Sequence, residues 1–485
     1  MTLTIVGLGP GDPKMLTLEA QELLQSAPEI WVRTRKHPTV QALPAAAVRS
    51  FDHVYEERDD FAQVYAAIAE EVMRLARRDE GLLYAVPGHP LVGEQSVQLI
   101  LGMAREAGIP VRIVHGLSFL EPTLSALGAD ALDGLQIADA TEIALLHHPR
   151  LDPDRPALIA QLYSRDLAAQ VKLTLMNQYP DEHTVTLVGA AGTPRERVVN
   201  VPLYEIDRQP WVDHLTSLYA PPLPQPGGME SFQETIAHLR APDGCPWDRE
   251  QTHQTLRTAL LGETYEALDA IDAEDPLALM EELGDLLLQI VLHAQIATDD
   301  GEFRMADVIG HIDAKLKRRH PHVFSGLKVS GADEVTVNWE EIKREERNHA
   351  DHRSILASVP KTLPALTQAQ DYQTRVARVG FDWPDVKGVR DKILEELREL
   401  DEAATPEERE SETGDLLFAA VNLARWLHVD AESALRRANT RFARRFAAME
   451  QRCAESGRVL ADLSPEEQDA LWKAAKEEET RESRE

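Results

Sequence analysis

The sequence predicts a multidomain chain: an α/β domain over residues 1–208, then all-α helical bundles in tandem. Three observations carry that reading. Short apolar strands run into Gly/Pro turns and then into helical patterns through the first 208 residues, as in a largely parallel sheet. From Met229 onward amphipathic helices take over. A pair of acidic helices followed by a basic one then occurs twice. The chain has 485 residues, for which roughly three domains is the natural expectation.

In the first domain, LTIVG leads into Gly7, Gly9, Pro10, Gly11, Asp12 and Pro13, with a helical pattern from Thr17. GLLYAVPGHPLVGE is a strand entering a Gly/Pro loop, and IPVRIVHGLSFLEPTLSAL is a strand, turn and helix. VKLTLMNQYP, HTVTLVGAAG and RERVVNVPLYEI add strands and a hairpin-like end. Glycines after strands let a ligand approach the backbone. Gly7, Gly9 and Gly11 do not make GxGxxG, so a tight strand-to-helix turn explains them equally well. Residues 209–228, QPWVDHLTSLYAPPLPQPGG, crowd Pro and Gly into their second half and read as an extended tether.

The helical part divides into a first unit at 229–350, a second at 351–478 and a charged tail at 479–485. LGETYEALDAI carries Glu263 and Glu266, and EELGDLLLQIVLHA carries Glu282 and Asp285. In the second unit ILEELRELDEA carries Glu396 and Glu399, and SETGDLLFAAVNLA carries Glu412 and Asp415. Residues three apart share a helix face, so each pair points one way beside an apolar stripe. A hairpin of the two helices brings four carboxylates together, where two charges 5 Å apart repel by roughly 3 kcal/mol at a dielectric of 20. A cation belongs there, and hard oxygen ligands suit Mg²⁺ or Mn²⁺. One such pair alone reads as a solvated helix face. Recurrence of the whole arrangement, each time ending ExxGDLL, favours a metal site.

A basic helix follows in each unit, HIDAKLKRRHPHVF with Lys315 and Arg319, and RRANTRFARRFAAM with Arg441 and Arg445. Beside a carboxylate-bound metal such i, i+4 pairs suit a polyphosphate. A salt-bridged helix surface is the alternative. Trp247 and Trp383 stand just ahead of the first acidic helix of their units, as packing anchors or as platforms for a base. Asp248 with Gln251 reads as a capping box for the next helix.

The net charge is −31, from 82 acidic and 51 basic residues, which speaks against bulk nucleic-acid binding. Cys245 and Cys453 show no zinc spacing or disulfide framework. No basic-then-apolar leader opens the sequence and no apolar run approaches about 18 residues, so a cytoplasmic protein without membrane spans is expected. No Ser, Cys or His arrangement points to a covalent route.

GLGPGDPKMLT, PGHP and VHGLSFLEPTLSALG resemble the tetrapyrrole methylase family over about residues 1–208. That resemblance implies S-adenosylmethionine in a cleft between two α/β lobes, lined by Gly9, Gly11, Gly88 and Leu117. His89 stands where many members carry aspartate, which fits cofactor binding in a regulatory module better than methyl transfer to a porphyrin-like substrate. GCPWD, ETYE, EELGDLL, KLKRRHPHVF, WEEIKREER, LPAL, ARVGFDW and the second EExxE…ExxGDLL resemble the MazG family of nucleoside triphosphate pyrophosphohydrolases over about residues 229–478. The whole is similar to the YabN type, tandem MazG units behind a methylase-like lobe.

The MazG resemblance implies Mg²⁺-dependent release of pyrophosphate from nucleoside triphosphates. Four short helices joined by short loops bury little on their own, so a homodimer is expected. Its metal ligands would be Glu263, Glu266, Glu282 and Asp285 in the first unit, and Glu396, Glu399, Glu412 and Asp415 in the second. Glu399 or Glu412 would orient the attacking water, and Lys315, Arg319, Arg441 and Arg445 would contact phosphate. Gly262 replaces the first Glu of EExxE in the first unit, and Arg441 the usual Lys in the second. The intact EExxE makes the second unit the expected main catalyst. A nucleotide sensor with weak turnover, or a methyltransferase with a helical appendage, are the rival readings.

Overall fold

The computed structural model of the chain describes residues 2–482 except 59, 332–333, 336–337, 339–341, 343–353 and 358. The WEEIKREER stretch apart from Ile342, and the expected boundary at 350/351, lie outside the described residues. The chain forms two compact units, Met1–Glu250 and Gln251–Glu485.

The first unit holds two five-stranded sheets. The first sheet has β1 (Leu3–Gly7), β2 (Ile30–Val32), β3 (Val48–Ser50), β4 (Leu82–Val86) and β5 (Val111–Val114) in the order β3-β2-β4-β1-β5, every pair parallel. Leu3, Ile5, Val6, Tyr84, Ala85 and Val86 are buried, and β4 reads as an unbroken apolar run that only Thr4 interrupts in β1. Helix α1 (Leu18–Ser26) starts at Thr17, whose side chain accepts from the Ala20 amide. Helix α2 (Phe61–Ala76) buries Val64, Ile68, Val72 and Leu75 at helical spacing, and α3 (Gln95–Ala107) packs beside it.

The second sheet has β6 (Gln136–Asp139), β7 (Ala157–Ala160), β8 (Thr184–Gly189), β9 (Arg197–Pro202) and β10 (Thr216–Ala220), in the order β6-β7-β10-β8-β9. Here the structure corrects two expectations. In place of a tether beginning at 209, Thr216–Ala220 is the central strand, paired antiparallel with both β7 and β8. The Pro/Gly stretch after it is also held, for the Leu223 amide donates to the Pro153 carbonyl and the Gly227 and Gly228 amides donate to Asp154. The first half of VKLTLMNQYP is helical, ending α4 (Arg165–Leu175). Its Val, Leu and Thr alternate as in a strand, but Ser164 caps the segment by accepting from Leu167. Leu167, Ala168, Val171 and Leu175 are then buried at helical spacing.

His37 marks where the first sheet meets its glycine loop. Burial, then the nearby Arg33 charge, push its pKa down to about 4, against a bond from the Gly9 backbone. A depressed base stabilises the folded unit fully above its ordinary value near 6.5 and loses that contribution as pH falls through about 4. The shift corresponds to about 3 kcal/mol. Protection factors of the β1–β5 amides, taken against the intrinsic exchange rate at each pH, should therefore fall between pH 6.5 and 4 in the wild type and much less in His37→Asn. Equal pH slopes would refute this.

α5 (Met229–Arg240) still belongs to the first unit with the sheets, and in the second unit the repeats are built from helices after Gln251. The first repeat has α6 (Arg257–Asp272), α7 (Pro276–Asp299) and α8 (Met305–Arg319). The second has α9 (Ala365–Ala377), α10 (Val386–Glu402), α11 (Pro406–Trp426), α12 (Ala431–Glu455) and α13 (Pro465–Glu482). Sequence-local caps set the hairpins. Asp275 accepts from Leu277 and Ala278 ahead of Pro276, and Thr405 makes a capping box with Glu408 ahead of Pro406. The capping box expected at Asp248 does not form: Asp248 lies inside the short helix Pro246–Glu250, and α6 starts at Leu256 with no side-chain cap. The charged tail expected from 479 is still helix through Glu482, and Glu479 is drawn inward by basic side chains of α12. Arg436 of α12 bonds Asp269 at 2.5 Å and Asp272 at 3.3 Å, tying the second repeat to α6 of the first.

Candidate active site

Each acidic hairpin brings three glutamates together. On α6 and α7, Glu263, Glu266 and Glu282 each offer a carboxylate oxygen within 4.8 Å of the others. Glu396, Glu399 and Glu412 do the same on α10 and α11. The hairpin geometry follows from the caps: α7 and α11 start only a few residues after α6 and α10 end, so each second helix must fold back along the first. Asp285 and Asp415 stand one helical turn beyond the triads, on the same helices. Asp285 is near enough that its charge acts on Glu263.

The electrostatics of the first triad are those of an anionic site with no ion pair to balance it among the described residues. Burial, then Asp285 and Glu266, raise the Glu263 pKa. Burial, then Glu266, Asp285, Glu281 and Glu263, raise that of Glu282. One Glu282 carboxylate oxygen is shut off from solvent and has no hydrogen-bond partner. Oxygens on opposite sides of an octahedral Mg²⁺ stand about 4 Å apart, so three carboxylates at this spacing fit that ion after small side-chain rotations.

The second triad differs. Lys392, one turn ahead on α10, places its ammonium 2.8 Å from Glu396 and 2.9 Å from Glu395. These two bonds hold its pKa well above the ordinary lysine range. Glu396 itself is 4% exposed. The Glu399 pKa is raised by burial, against the pull of Lys392 and with Glu396, Glu395 and Glu412 adding. Sequence reasoning missed Lys392, although its i, i+4 distance from Glu396 is the ordinary signal for a helical ion pair.

The four basic residues divide. Lys315 and Arg441 have no ion pair among the described residues, Lys315 being half-buried and Arg441 exposed. Arg319 is half-buried at the end of α8. Arg445 is engaged within its own repeat, its Nε donating to Glu479 at 2.6 Å and its guanidinium lying 5.7 Å from the centre of the Trp472 ring. Trp247 and Trp383 are both exposed. In the first repeat the rings of His253 and His293 stack, with their Nδ1 atoms 2.8 Å apart.

In the sheet unit, three sequence motifs converge at the carboxyl ends of β1, β4 and β5. Gly9 and Gly88 exchange backbone hydrogen bonds of 3.3 and 2.9 Å. A Cβ on Gly7 would stand 2.5 Å from the Gly88 carbonyl and 2.8 Å from Gly116, so that junction closes only with glycine. Gly88, at φ +64°, faces Leu117 and Ser118, where a Cβ would sit in van der Waals contact, 3.8 Å from the Ser118 Cα and 4.0 Å from the Leu117 carbonyl. Gly9 and Gly88 thus pair at the strand ends with Leu117 near Gly88, the edge where open parallel sheets take ligands. Gly11, at φ +141°, turns toward Pro38 and Thr193 instead. His89, next to Gly88 in sequence, stacks on His115, Nε2 to Nδ1 3.1 Å. No helix among the described residues is long and apolar enough to cross a membrane.

Comparison with known proteins finds two family matches in chain order. The family described as Tetrapyrrole (Corrin/Porphyrin) Methylases matches residues 2–207, and the MazG nucleotide pyrophosphohydrolase domain matches residues 251–324. The chain is 43% identical to the uncharacterized protein YabN of Bacillus subtilis, covering 99% of both sequences. Half of the chain is 46% identical to the nucleoside triphosphate pyrophosphohydrolase/pyrophosphatase MazG of Thermotoga maritima, covering 95% of it. A similar share is 45% identical to the nucleoside triphosphate pyrophosphohydrolase of Escherichia coli strain K12, again covering 95% of the relative.

Proposed function

Because the chain belongs to the MazG family, in the YabN-like form with a tetrapyrrole methylase-like domain ahead of the MazG repeats, we propose that it hydrolyses nucleoside triphosphates to nucleoside monophosphate and pyrophosphate. The observation that carries the reading is the recurrence of one glutamate triad on two hairpins of the same build.

The residues fit Mg²⁺ or Mn²⁺: all-oxygen donors, excess negative charge and, at Glu282, a buried oxygen with no protein partner. A divalent ion held there supplies acidity to bound water and neutralises charge on the attacked phosphoryl group. Glu263, Glu266 and Glu282 in the first repeat, and Glu396, Glu399 and Glu412 in the second, would hold it, with Asp285 and Asp415 completing each set. Glu399, exposed and without an ion pair among the described residues, or Glu412 would orient the attacking water and accept its proton. Lys315 and Arg441, which make no ion pair among the described residues, would take the departing pyrophosphate oxygens. Arg445 serves the same end only by exchanging Glu479 for phosphate.

The sheet unit is proposed to bind S-adenosylmethionine in the crevice of Gly9, Gly88 and Leu117, with His89 and His115 as its polar edge. Leu277, Met280, Leu283 and Ile290 on α7, and Leu394, Leu397, Leu417 and Phe418 on α10 and α11, are large apolar residues left exposed. Such faces support homodimer formation.

The test is a panel of standard and damaged nucleoside triphosphates with Mg²⁺, followed by product identification. Monophosphate and pyrophosphate are expected, falling to background in excess EDTA and restored by Mg²⁺ or Mn²⁺. Diphosphate with inorganic phosphate, or full activity in EDTA, refutes the assignment. Binding without turnover points to a nucleotide sensor.

A further inference from the structure

The two triads are built alike but are not equivalent, and the difference lies in one residue. Superposing the repeats by their motifs sets Glu263 on Glu396, Glu266 on Glu399 and Glu282 on Glu412. Lys392 then falls on Ala259, and Glu395 on Gly262. With Lys392 and Glu395 included, the two sets carry the same formal charge, so net field does not distinguish them. What distinguishes them is an ion pair on one member of the second triad. Glu396 Oε1 is 2.8 Å from the Lys392 ammonium, on the most buried carboxylate of its triad. In the first triad no ion pair reaches Glu263, Glu266 or Glu282 among the described residues, and Glu282 keeps an oxygen with no partner.

We infer that Lys392 is a built-in counter-cation which a divalent ion must displace from Glu396, so that the first triad loads with metal ahead of the second. This rests on the metal reading above. A buried carboxylate left bare is costly, so an ammonium that covers it stabilises the metal-free second repeat. The same contact opposes the incoming ion, because Lys392 has to swing away before Glu396 can bind it. Lys392 is half-exposed with Glu395 as its second partner, so it has a place to go. The first repeat, with alanine at that position, has no such step. Lys392 is a positioning residue for metal entry, and the second repeat is held empty at metal concentrations that already fill the first.

Titration of the full-length, metal-free protein with Mn²⁺, followed by the loss of free-ion signal in electron paramagnetic resonance, tests the inference. Two classes of site are expected. Glu282→Gln should remove the tighter class and Glu412→Gln the weaker. Lys392→Met should tighten the weaker class about tenfold or more and lower the melting temperature of the metal-free protein. Lys387→Met, which removes the same charge from the same helix without touching Glu396, should leave both classes unchanged. One class of identical sites in the wild type, no tightening in Lys392→Met, or equal tightening in Lys387→Met would each overturn the inference while leaving metal binding intact. Absence of any Mn²⁺ binding would overturn the metal reading itself.

Discussion

Replacing Glu266 and Glu399 together by glutamine should lower pyrophosphate release about a thousandfold without lowering the melting temperature. Both are exposed, both sit in their triads, and neither makes an ion pair among the described residues. Each amide keeps the side-chain shape and removes one of the charges that holds the ion. The fold loses nothing, since Glu266 adds to the repulsion on Glu263, and on Glu399 burial with the charges of Glu396, Glu395 and Glu412 outweighs the pull of Lys392. The single variants apportion turnover between the repeats. With its EExxE intact, the second repeat is expected to carry most of it, so Glu399→Gln should account for most of the loss. Glu396→Gln behaves differently from either, because it also breaks the Lys392 pair and should destabilise the metal-free protein by about 1–2 kcal/mol. Turnover unchanged in the double variant would mean that the triads are solvated helix faces and that the chemistry lies elsewhere.

In the sheet unit the largest stability effect is expected from Glu94→Gln, at about 3–5 kcal/mol. Arg33, just past β2, bonds Glu94 at 2.7 Å, and both side chains are largely buried among Tyr55, Tyr65 and Tyr84. Burial raises the Glu94 pKa against the pull of Arg33, while Glu94 holds the guanidinium charged in spite of its burial. Removing the carboxylate leaves a buried cation with only a weak amide partner. The double change Arg33→Met with Glu94→Leu removes both charges and should recover most of the loss. Calorimetry on the three variants decides it. An equally severe loss in the double variant would show that packing, rather than the stranded charge, sets the cost. Nucleotide hydrolysis should survive all three, because the triads lie in the other compact unit.

The α/β class, the helical repeats, the triads and their duplication were legible in the sequence because each rests on local rules. Carboxylates three apart share a helix face whatever the helix packs on, and Asp275-Pro276 and Thr405-Pro406 start helices by bonding to amides within a turn. The glycine motifs were legible for a similar reason, although only the fold showed Gly7, Gly88 and Gly116 closing one junction while Gly11 turns aside. Tertiary structure decided the rest. Thr216–Ala220 sits among prolines and glycines, yet is a central strand because β7 and β8, remote in sequence, supply its hydrogen bonds. Arg445 reads as a free phosphate contact until α13 brings Glu479 and Trp472 against it. Lys392 and Ala259 occupy matching places on matching helices, and only the burial of Glu396 turns that exchange into a difference between two metal sites. Periodicity and capping are written within a few residues of themselves, whereas burial and the choice of ion-pair partner depend on chain segments far away.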